Sequence, residues 1–396
     1  MGGFLLNYDL VVVGSGLFGL TIAEQCVRRW GLRVAIVERR GHLGGNAYSE
    51  IDQDTGIEVH KYGAHIFHTS NERVWEYVNR FTRFTDYVHH VWTTVGGRVY
   101  PLPVNLATIN QFFNTSLTPG EARALIAEQA LEVASEKSPS FEAKGISLVG
   151  RPLFEAFFRN YTAKQWQTDP KDLPASIVSR LPVRYNYDTR YFNDKHEGLP
   201  AEGYSTWLSR MVDDARIDVF LDTDFFDLSQ PLSKGALVGQ VPVVYTGPVD
   251  SYFGFSEGHL SWRTVKFERF VVDTADFQGC SVMNYGDLDT PWTRIIEFRH
   301  FHPERNYQRD RSVVFREFSQ FAGPLDEPYY PVNTPEDRIR LERYRARAHA
   351  EPEVFFGGRQ GTYKYLDMHM AIASALSLLD NELATLFGHG RDLLRA

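Results

Sequence analysis

The 396-residue sequence has only two cysteines, Cys26 and Cys280, and they lie far apart in the chain. This spacing excludes a disulfide framework. The sequence also lacks any uninterrupted run of about 18 apolar residues, so it predicts no membrane-spanning segment. The opening residues, MGGFLLNYDL, lack the basic stretch and long apolar region of a secretory signal. Together these absences predict a cytoplasmic protein.

Positive charge is also in short supply. The chain has 42 lysines and arginines against 50 aspartates and glutamates, a formal net charge of -8, which argues against a general nucleic-acid binder. An anionic ligand would therefore have to be held by individually placed arginines. Apolar residues make up 43% and charged residues 23% of the chain. These proportions exclude bulk disorder and indicate a globular protein of roughly two or three domains.

The stretch YDLVVVGSGLFGLTIAEQCVRRWG predicts a buried strand, a glycine turn and a helix. Gly14, Gly16 and Gly19 form the pattern G-x-G-x-x-G, and a second strand, RVAIVE, ends at Glu38. In this setting the glycines allow a tight turn, close approach of the backbone to a pyrophosphate and packing of helix on strand, while the acid accepts bonds from a ribose. The pattern predicts a dinucleotide site. The alternative is the same turn without a ligand.

The next residues favour FAD over NAD. The segment RRGHLGGNAYS adds a second glycine pair, Gly44 and Gly45. A long flavin dinucleotide would press on such a second loop, which a plain nicotinamide domain does not need. Near the end of the chain, VFFGGRQGTYKYLDMHMAIASAL predicts a strand, a glycine turn and a helix that Asp367 is placed to cap. A helix N-terminus at this place would stabilise the negative charge of a reduced flavin.

Three histidines, His60, His65 and His68, fall within the nine residues HKYGAHIFH. A zinc site is disfavoured because no cysteine cluster or acidic triad accompanies them, and no metal is predicted elsewhere. A plain role in the core or in a loop stays open. The glycine-bearing loop favours a third interpretation, in which the histidines form part of the wall of a cofactor pocket and tune the flavin.

Helical patterns fill the chain from about residue 76 to 180. TPGEARALIAEQ opens with a capping box at Thr118, and RPLFEAFFRNYTAKQW places aromatic side chains along one helical face. QTDPKDLPASIVSRLPVR is polar and broken by prolines, which predicts a mobile surface loop near 166–184. Strand patterns over 255–320 predict an antiparallel sheet.

The predicted fold class is therefore α/β, with a Rossmann-like FAD-binding domain, an inserted helical domain and an antiparallel β-sheet domain. The predicted boundaries, in chain order, are FAD-binding 1–75, helical 76–180, sheet 181–202, FAD-binding 203–250, sheet 251–335 and FAD-binding 336–396.

Motifs along nearly the whole chain resemble those of the UDP-galactopyranose mutase family, in its bacterial class. They are, in order, GSGLFGL, LGGNAY, HKYGAHIFHT, NYTAKQW, LPASIVSRLPVR, MNYGDLDTPWTRIIE, EPYYP and GRQGTYKYLDMHMAI. The resemblance implies an enzyme that reversibly isomerises UDP-galactopyranose and UDP-galactofuranose without net redox change. It implies reduced FAD as the active cofactor, with its N5 forming a covalent adduct with galactose C1. It also implies an electron donor such as NAD(P)H and a homo-oligomer.

By this resemblance, matching positions take on roles in substrate binding and catalysis. Arg180, in the predicted mobile loop, and Arg294 clamp the diphosphate, for which guanidinium forks are suited. The other substrate contacts are Phe157, Phe158, Tyr161 and Trp166 at the uridine, Tyr191, Tyr330 and Tyr365 at the phosphates, and Arg263 and Glu317 near the sugar. His65 and His68 are candidates for proton transfer. The cofactor contacts, from motif and resemblance, are Gly14, Gly16, Leu17, Phe18, Gly19, Glu38, Arg39, Gly45, Asn46, His65, Arg359, Tyr365, Asp367 and Met368.

Two other classes of protein remain open. An FAD amine oxidase or desaturase shares the nucleotide fold, but its pocket would be an aromatic cage that does not need paired arginines. Reduction of the flavin by the substrate would favour it. A non-catalytic flavin- or nucleotide-binding protein would bind UDP tightly without turnover. Function depends on the site and not on the fold, so the fold does not separate these classes. The ordered motifs favour the mutase.

Overall fold

The computed structural model describes residues 7–133, 140–173, 175 and 183–388. Its strands, in chain order, are β1 (Leu10–Val13), β2 (Val34–Val37), β3 (Ser49–Ile51), β4 (Glu58–His60), β5 (Phe67–Thr69), β6 (Val91–Val95), β7 (Arg98–Leu102), β8 (His196–Gly198), β9 (Ile217–Phe220), β10 (Val243–Tyr245), β11 (Trp262–Val272), β12 (Val282–Tyr285), β13 (Arg294–Glu297), β14 (Ser312–Phe321), β15 (Tyr330–Pro331) and β16 (Val354–Phe356).

Its helices, in chain order, are α1 (Leu17–Trp30), α2 (Glu72–Val78), α3 (Leu106–Phe113), α4 (Pro119–Gln129), α5 (Phe141–Val149), α6 (Arg151–Phe154), α7 (Asn160–Trp166), α8 (Tyr204–Met211), α9 (Lys234–Leu237), α10 (Val249–Tyr252), α11 (Pro335–Ala350), α12 (Gly358–Gly361), α13 (Met368–Leu378) and α14 (Ala384–Phe387). A π-helical turn, Glu155–Arg159, connects α6 to α7.

A parallel sheet of five described strands has the order β16-β10-β1-β2-β9. Its strands are short, continuous apolar runs because both faces of the sheet are covered. On one face Val12 and Ile36 pack with α1, and on the other Val11 and Val13 pack with Phe225 and its neighbours. The β1–α1–β2 unit is the Rossmann-like crossover that the glycine pattern predicts, and that prediction is confirmed.

The second sheet has the order β15-β11-β14-β13-β12-β6-β7 among the described residues. Strands β11 and β14 form its longest ladder, from Arg263 opposite Phe321 to Val272 opposite Ser312. Neighbouring strands run antiparallel except for β12 and β6, which run parallel. The predicted antiparallel sheet is therefore present as the larger part of a mixed sheet.

The prediction that residues 76–180 are helical is wrong at β6 and β7, which form a hairpin within the second sheet. Gly96 and Gly97 turn this hairpin with φ values of 55° and 72°, the left-handed backbone that two-residue hairpins need and that glycine adopts without strain. The two-glycine turn between VWTTV and RVYPL is the sequence signal for it. In the predicted sheet segment 181–202, β8 pairs with β5 and not with the second sheet. The domain boundaries stay a prediction.

Helices α3 to α7 contribute to a separate hydrophobic core, in which Phe154, Phe157 and Phe158 are buried. The predicted capping box of α4 is present. Thr118 Oγ1 accepts a hydrogen bond from the Glu121 N–H, and the Glu121 carboxylate accepts one from the Thr118 N–H. Because a π-helical turn interrupts the predicted helix between α6 and α7, the side chains on α7 follow a shifted register.

The stretch Met368–Phe387, which includes α13 and α14, is a described helix that is long and apolar enough to cross a membrane by length and composition. In the fold, Ile372 and Leu379 pack in the same core as α1, and Asp380 accepts hydrogen bonds from Arg29 and Arg73. Core helices of globular proteins have the same composition, so this stretch carries no conclusion about a membrane.

The close packing of α1 on β1 can be tested at Gly19. A Cβ at this position would lie 2.1 Å from the Gly14 carbonyl oxygen and 3.0 Å from Val12 Cγ1. Because the backbone would have to move, we expect Gly19→Ala to lower the free energy of unfolding by about 1–3 kcal/mol, as measured by urea titration.

The control is Gly120→Ala in α4, where no described atom lies within 4 Å of the added Cβ. Alanine has the higher helix propensity, so this variant should keep or gain stability, by up to about 1 kcal/mol. Wild-type stability in Gly19→Ala would show that helix and strand do not need this close approach.

Candidate active site

The turn between β1 and α1 leaves a bare helix N-terminus. Helix α1 begins after Gly16, which has a φ of -65°, and no described side chain caps it. Gly14 has a φ of 99°, and a Cβ there would lie 2.0 Å from Thr246 Oγ1, so the position requires glycine. At Gly16 no described atom lies within 4 Å of an added Cβ. This open space suits a pyrophosphate, because the first N–H groups and the helix dipole attract negative charge.

The turn opens into a cavity of about 850 Å³, the first cavity. The predicted cofactor residues that line it are Gly14, Gly16, Leu17, Phe18, Glu38, Arg39, Gly45, Asn46, His65, Arg359 and Met368. Gly19 is not among its described lining residues, because it lies where α1 packs on β1. A cavity of this size is large enough for a cofactor.

Glu38 is held in a fixed orientation at the carboxyl end of β2. Its Oε2 accepts hydrogen bonds from the Ser15 N–H at 2.9 Å and from the Ser15 hydroxyl at 2.7 Å, and its Oε1 accepts one from the Arg40 N–H at 2.8 Å. Each carboxylate oxygen has two lone pairs, so the group can also accept a bond from a ribose hydroxyl. These internal bonds set the acid in the wall of the first cavity.

The second glycine loop lies directly against the first. The Gly44 N–H donates to the Ser15 carbonyl oxygen at 2.9 Å, and a β-bridge pairs Gly44 with Gly16. A Cβ at Gly45 would lie 3.3 Å from Gly16 Cα, and one at Gly44 would lie 2.2 Å from Leu208 Cδ1. Gly45 is therefore in tight contact with the first loop, and the close approach of Leu208 requires glycine at position 44 before any ligand is considered.

A second cavity, of about 760 Å³, adjoins the first. Both cavities are lined by Asn46, His65, Arg359 and Met368. The other predicted residues that line the second cavity are Phe157, Phe158, Tyr161, Trp166, Tyr191, Arg294, Tyr330, Tyr365, His68, Asp367 and Glu317. Arg180 lies outside the described residues. The structure thus brings most of the predicted substrate and cofactor residues to two adjoining cavities, but Tyr365 and Asp367, which are also predicted cofactor contacts, line only the second.

Arg294 is a charged group with a fixed place in the second cavity. It stands opposite Glu317 in the register of β13 and β14, and its Nε lies 2.7 Å from Glu317 Oε2. Burial acts to lower the pKa of Arg294, but the charge and hydrogen bond of Glu317, together with Tyr161 and Tyr330, outweigh it, and the pKa is raised. With the acid on its Nε side, the guanidinium can turn its Nη atoms to an anion in the cavity.

The prediction that Arg263 lies near the sugar is wrong. This arginine is not among the described residues that line either cavity. Its guanidinium donates to the Gln165 carbonyl oxygen at 2.9 Å, to Gln167 Oε1 at 3.2 Å and to Ser319 Oγ at 3.0 Å. Burial lowers its pKa to about 10, so it is still charged at pH 7. It anchors the end of α7 to the second sheet.

His60 is a core histidine, the plain role that the sequence leaves open. It is buried and stacks on Phe301, with ring centroids 5.1 Å apart. Its Nδ1 accepts a hydrogen bond from the His65 N–H at 3.0 Å. Burial lowers its pKa well below the usual value, so the ring stays neutral and keeps this acceptor. His60 therefore fixes the backbone of the loop that carries His65.

His65 lies on the boundary between the two cavities. Its Nδ1 is 2.7 Å from the Gly63 carbonyl oxygen. Because a carbonyl oxygen only accepts, Nδ1 carries the proton and Nε2 the lone pair. Burial, together with the charges of Arg359 and Arg294, lowers the pKa of His65 to about 4. The ring is therefore neutral at pH 7.

His68 stacks on Phe192, with ring centroids 3.7 Å apart, and its Nδ1 lies 2.7 Å from Asp194 Oδ2. Ligand atoms of His68, Asp367 and His369 lie within 4.8 Å of one another, a grouping that could hold a metal ion. The bond to Asp194 already orients the first of these histidines without a metal. The absence of a metal stays a prediction.

Arg359 forms another part of the boundary. It donates to the Leu366 carbonyl oxygen from Nε at 3.2 Å and from Nη2 at 2.6 Å, and to the Tyr329 carbonyl oxygen from Nη1 at 3.2 Å. Its guanidinium lies 5.6 Å from the ring centroid of Tyr330 and 5.1 Å from that of Tyr365. These two rings stack on each other at 5.7 Å. Arg359 therefore holds two loops together and places a positive charge beside the tyrosines predicted to bind phosphate.

Asp367 occupies the N-cap position of α13, as predicted, but within the described chain its side chain makes no capping hydrogen bond. Its Oδ1 accepts a hydrogen bond from the Tyr365 hydroxyl at 2.7 Å instead. The first N–H groups of α13 are therefore left without a side-chain cap beside Met368, at the boundary of the cavities. This helix end is the one that the sequence predicts beside a reduced flavin.

His89 and Asn284 also line the second cavity, and neither is among the residues predicted from the sequence. Asn284 stands opposite Arg294 in the register of β12 and β13. Burial, followed by the charge of Arg294, lowers the pKa of His89 to about 3. The segment of His89 reaches the site because β6 pairs with β12. Pairing of β6 with the distant β12 leaves no local motif, so no sequence signal indicates His89, whereas Asn284 falls within the motif MNYGDLDTPWTRIIE and could have been found there.

Comparison with known proteins gives matches to two families. The UDP-galactopyranose mutase family matches residues 156–365, and the NAD(P)-binding Rossmann-like domain family matches residues 12–81. Over 379 residues the chain is 42% identical to a probable UDP-galactopyranose mutase of Klebsiella pneumoniae, with 96% of each chain covered. Over 373 residues it is 38% identical to the dTDP-fucopyranose mutase of Escherichia coli, with 93% of this chain and 96% of that protein covered.

A crystal structure of reduced UDP-galactopyranose mutase has the same fold, with a TM-score of 0.69, 13% sequence identity and 96% of each chain covered. This likeness confirms the predicted α/β architecture. The two relatives share more than a third of their residues with this chain along nearly its whole length, which confirms the resemblance found in the motifs. The chain therefore belongs to the UDP-galactopyranose mutase family and is a flavin-dependent pyranose–furanose mutase of nucleotide sugars.

Proposed function

We propose that this mutase interconverts UDP-galactopyranose and UDP-galactofuranose, with reduced FAD in the first cavity and the nucleotide sugar in the second. The observation that carries the proposal is the meeting of the two cavities at His65 and Arg359. One cavity has a dinucleotide cradle and the other has Arg294 among aromatic side chains. The relative from Klebsiella pneumoniae, at 42% identity, supports the choice of sugar nucleotide.

The residues of the first cavity fit FAD. The bare N–H groups at the start of α1 suit its pyrophosphate, Glu38 suits a ribose, and the loop of Gly44 and Gly45 continues the bare backbone towards the boundary. Bound in reduced form, the flavin supplies an electron-rich centre that can attack an anomeric carbon without net oxidation of the sugar. An electron donor such as NAD(P)H, a cytoplasmic location and a homo-oligomeric state are further parts of this proposal.

The second cavity can bind a nucleoside diphosphate. Arg294 offers a permanently charged fork to the phosphates. Burial raises the pKa of Tyr330, so its hydroxyl keeps the proton that it would donate to a phosphate oxygen. Tyr191 and the predicted second arginine, Arg180, complete the proposed phosphate contacts, and Tyr365 joins them if its hydroxyl turns away from Asp367, to which it donates. While these contacts hold the diphosphate in place, its bond to the sugar can break and later form again.

Aromatic side chains offer a place for the base. Phe157, Phe158, Tyr161 and Trp166 line the same cavity as Arg294, and stacking of a base on an aromatic ring is worth about 1–3 kcal/mol in nucleic-acid systems. These contacts do not by themselves distinguish uracil from thymine. The dTDP-fucopyranose mutase relative, at 38% identity, therefore supports a second candidate substrate, dTDP-fucose, whose sugar lacks the 6-hydroxyl group.

His65 is the proposed proton acceptor of the site. Its Nε2 lone pair lies at the boundary where cofactor and sugar would meet. A sugar hydroxyl can donate to this nitrogen while the ring opens or closes. His68, oriented by Asp194, is the proposed second group for proton movement. Arg263 has no place in this proposal because it is bound to α7 and β14.

The proposal is tested by anaerobic turnover of the two furanose nucleotides, UDP-galactofuranose and dTDP-fucofuranose. Dithionite-reduced and oxidised protein are compared, and the products are separated by nucleotide chromatography. We expect conversion of UDP-galactofuranose to the pyranose by the reduced protein alone. Faster conversion of dTDP-fucofuranose would assign the second substrate. No conversion of either by protein with intact, reduced flavin would refute the proposal.

Arg294 should be essential for turnover but not for holding the flavin. Replacing it alone would leave the Glu317 charge buried and unpaired, so the variant to use is Arg294→Met combined with Glu317→Gln. We expect kcat/KM to fall about 30-fold or more, because loss of a buried charged contact costs about 2–5 kcal/mol. The flavin absorbance should stay at the wild-type level.

The control for this variant is Arg98→Ala, which removes an exposed arginine of the same sheet and should leave kcat/KM unchanged. Near-normal turnover of the Arg294 variant would remove this residue from the phosphate site. Loss of flavin from it would place Arg294 at the cofactor instead.

The neutral state of His65 predicts a pH dependence of stability. In the unfolded chain a histidine titrates near pH 6.5, about its reference value, whereas in the folded protein the pKa of His65 is about 4. The folded protein therefore binds fewer protons and loses stability as the pH falls through this window. Between about pH 7 and pH 5, we expect the free energy of unfolding, measured by urea titration, to fall by about 1–2 kcal/mol less in His65→Gln than in the wild type.

His349→Gln, at an exposed position on α11, is the matched control and should keep the wild-type pH dependence. If His65→Gln lost stability as steeply as the wild type, the histidine would have to titrate alike in the folded and unfolded protein.

A further inference from the structure

Lys164, on α7, makes an unusual set of contacts with the main chain. Its ammonium nitrogen lies within hydrogen-bonding distance of the carbonyl oxygens of Tyr285 at 2.6 Å, Asp287 at 2.8 Å, Thr290 at 2.9 Å and Trp292 at 3.2 Å. An ammonium has three N–H donors, so three protons are shared among four acceptors. Lys164 is not among the described residues that line either cavity.

One of the four carbonyl groups belongs to Tyr285, the last residue of β12, and the other three belong to the chain that connects β12 to β13. Both ends of that connection reach the second cavity. Asn284 on β12 and Arg294 at the start of β13 line the cavity. On the other side of the contact, α7 carries Tyr161 and Trp166, which line it as well. Lys164 therefore joins the backbone that carries the arginine to the helix that carries the aromatic rings.

This link depends on the charge of the lysine. Hydrogen bonds from an ammonium to carbonyl oxygens are stronger than those from a neutral amine. Burial lowers the pKa of Lys164 to about 8, against the opposing charges of Asp287 and Asp289 in the same loop. From β14, Arg316 lies over the ring of Trp292. Lys164 is therefore mainly protonated at pH 7 and loses its proton as the pH rises through about 8.

Resting on the proposed function, we propose that Lys164 is a positioning residue for nucleoside diphosphate binding. Its protonated side chain holds Arg294 at the right separation from Tyr161 and Trp166, so that the diphosphate and the base are bound at the same time. Loss of the proton loosens the connection between β12 and β13, and the affinity for a nucleoside diphosphate falls.

The test is UDP binding to the oxidised holoenzyme, measured by calorimetry from about pH 7 to pH 9, where the phosphates of UDP keep their full charge. We expect the wild-type Kd to rise about fivefold across this range. Lys164→Met should bind UDP about tenfold more weakly at pH 7 and show no further loss, so that the two curves come within about twofold of each other near pH 9. The flavin absorbance should be the same in both proteins.

Two further variants separate positioning from a general loss of structure. Lys164→Arg keeps its charge up to pH 9, so its affinity should stay constant, and it decides the question if Lys164→Met does not fold. Lys234→Met removes another half-buried lysine, which donates to the Tyr252 carbonyl oxygen at 2.6 Å, and should follow the wild-type curve.

Equal UDP affinities of Lys164→Met and the wild type at pH 7, or parallel pH curves, would overturn this inference alone. A wild-type protein that binds neither UDP nor dTDP would overturn the proposed function, and the inference with it.

Discussion

The backbone contact between the two glycine loops, at Gly16 and Gly44, is the constraint on which the rest of the site depends. It brings the loop after β2 against the turn after β1, and the positive φ of Gly44 and Gly45 and the tight approach of Gly45 to Gly16 Cα favour glycine in the second loop. The second loop then supplies Asn46, which lines both cavities. A ligand that begins at the N-terminus of α1 can therefore follow bare backbone as far as His65, which a single glycine turn would not allow.

The second cavity holds two arginines, Arg294 and Arg359, in a chain with a net charge of -8. Asp194, Glu317 and Asp367 also stand in its wall, but each has a partner, the first in His68, the second in Arg294 and the third in the Tyr365 hydroxyl. A buried ion pair gains little net stability, because desolvation offsets the attraction. Its contribution here is the fixed position of a guanidinium. Arg359 is held by neutral carbonyl groups instead, so its charge is not cancelled at the boundary.

The parts that the sequence predicts well are those whose chemistry is local. The glycines of the β1–α1 turn and Glu38 fall within one supersecondary unit, so spacing alone places them in the first cavity. Arg263 and Arg294 both lie on strands of the second sheet, and no local pattern shows which of the two faces the cavity. The register of β13 and β14 sets Arg294 beside Glu317 at the cavity, while packing against α7 buries the other arginine. Such distinctions depend on pairing between distant segments, which a single sequence does not show.

The arginines proposed to suit the second cavity to a diphosphate also help burial to keep His65 unprotonated. Arg359 and Arg294 add to the effect of burial in lowering its pKa, and the Gly63 carbonyl group directs the lone pair of Nε2 away from its own loop. A weak base of this kind accepts a hydrogen bond from a sugar hydroxyl without keeping the proton. A reversible isomerisation with no net proton change needs this property, because the proton must return when the other ring closes. The arginines proposed to lie beside the substrate thus also contribute, after burial, to the low basicity of the group proposed to move its proton.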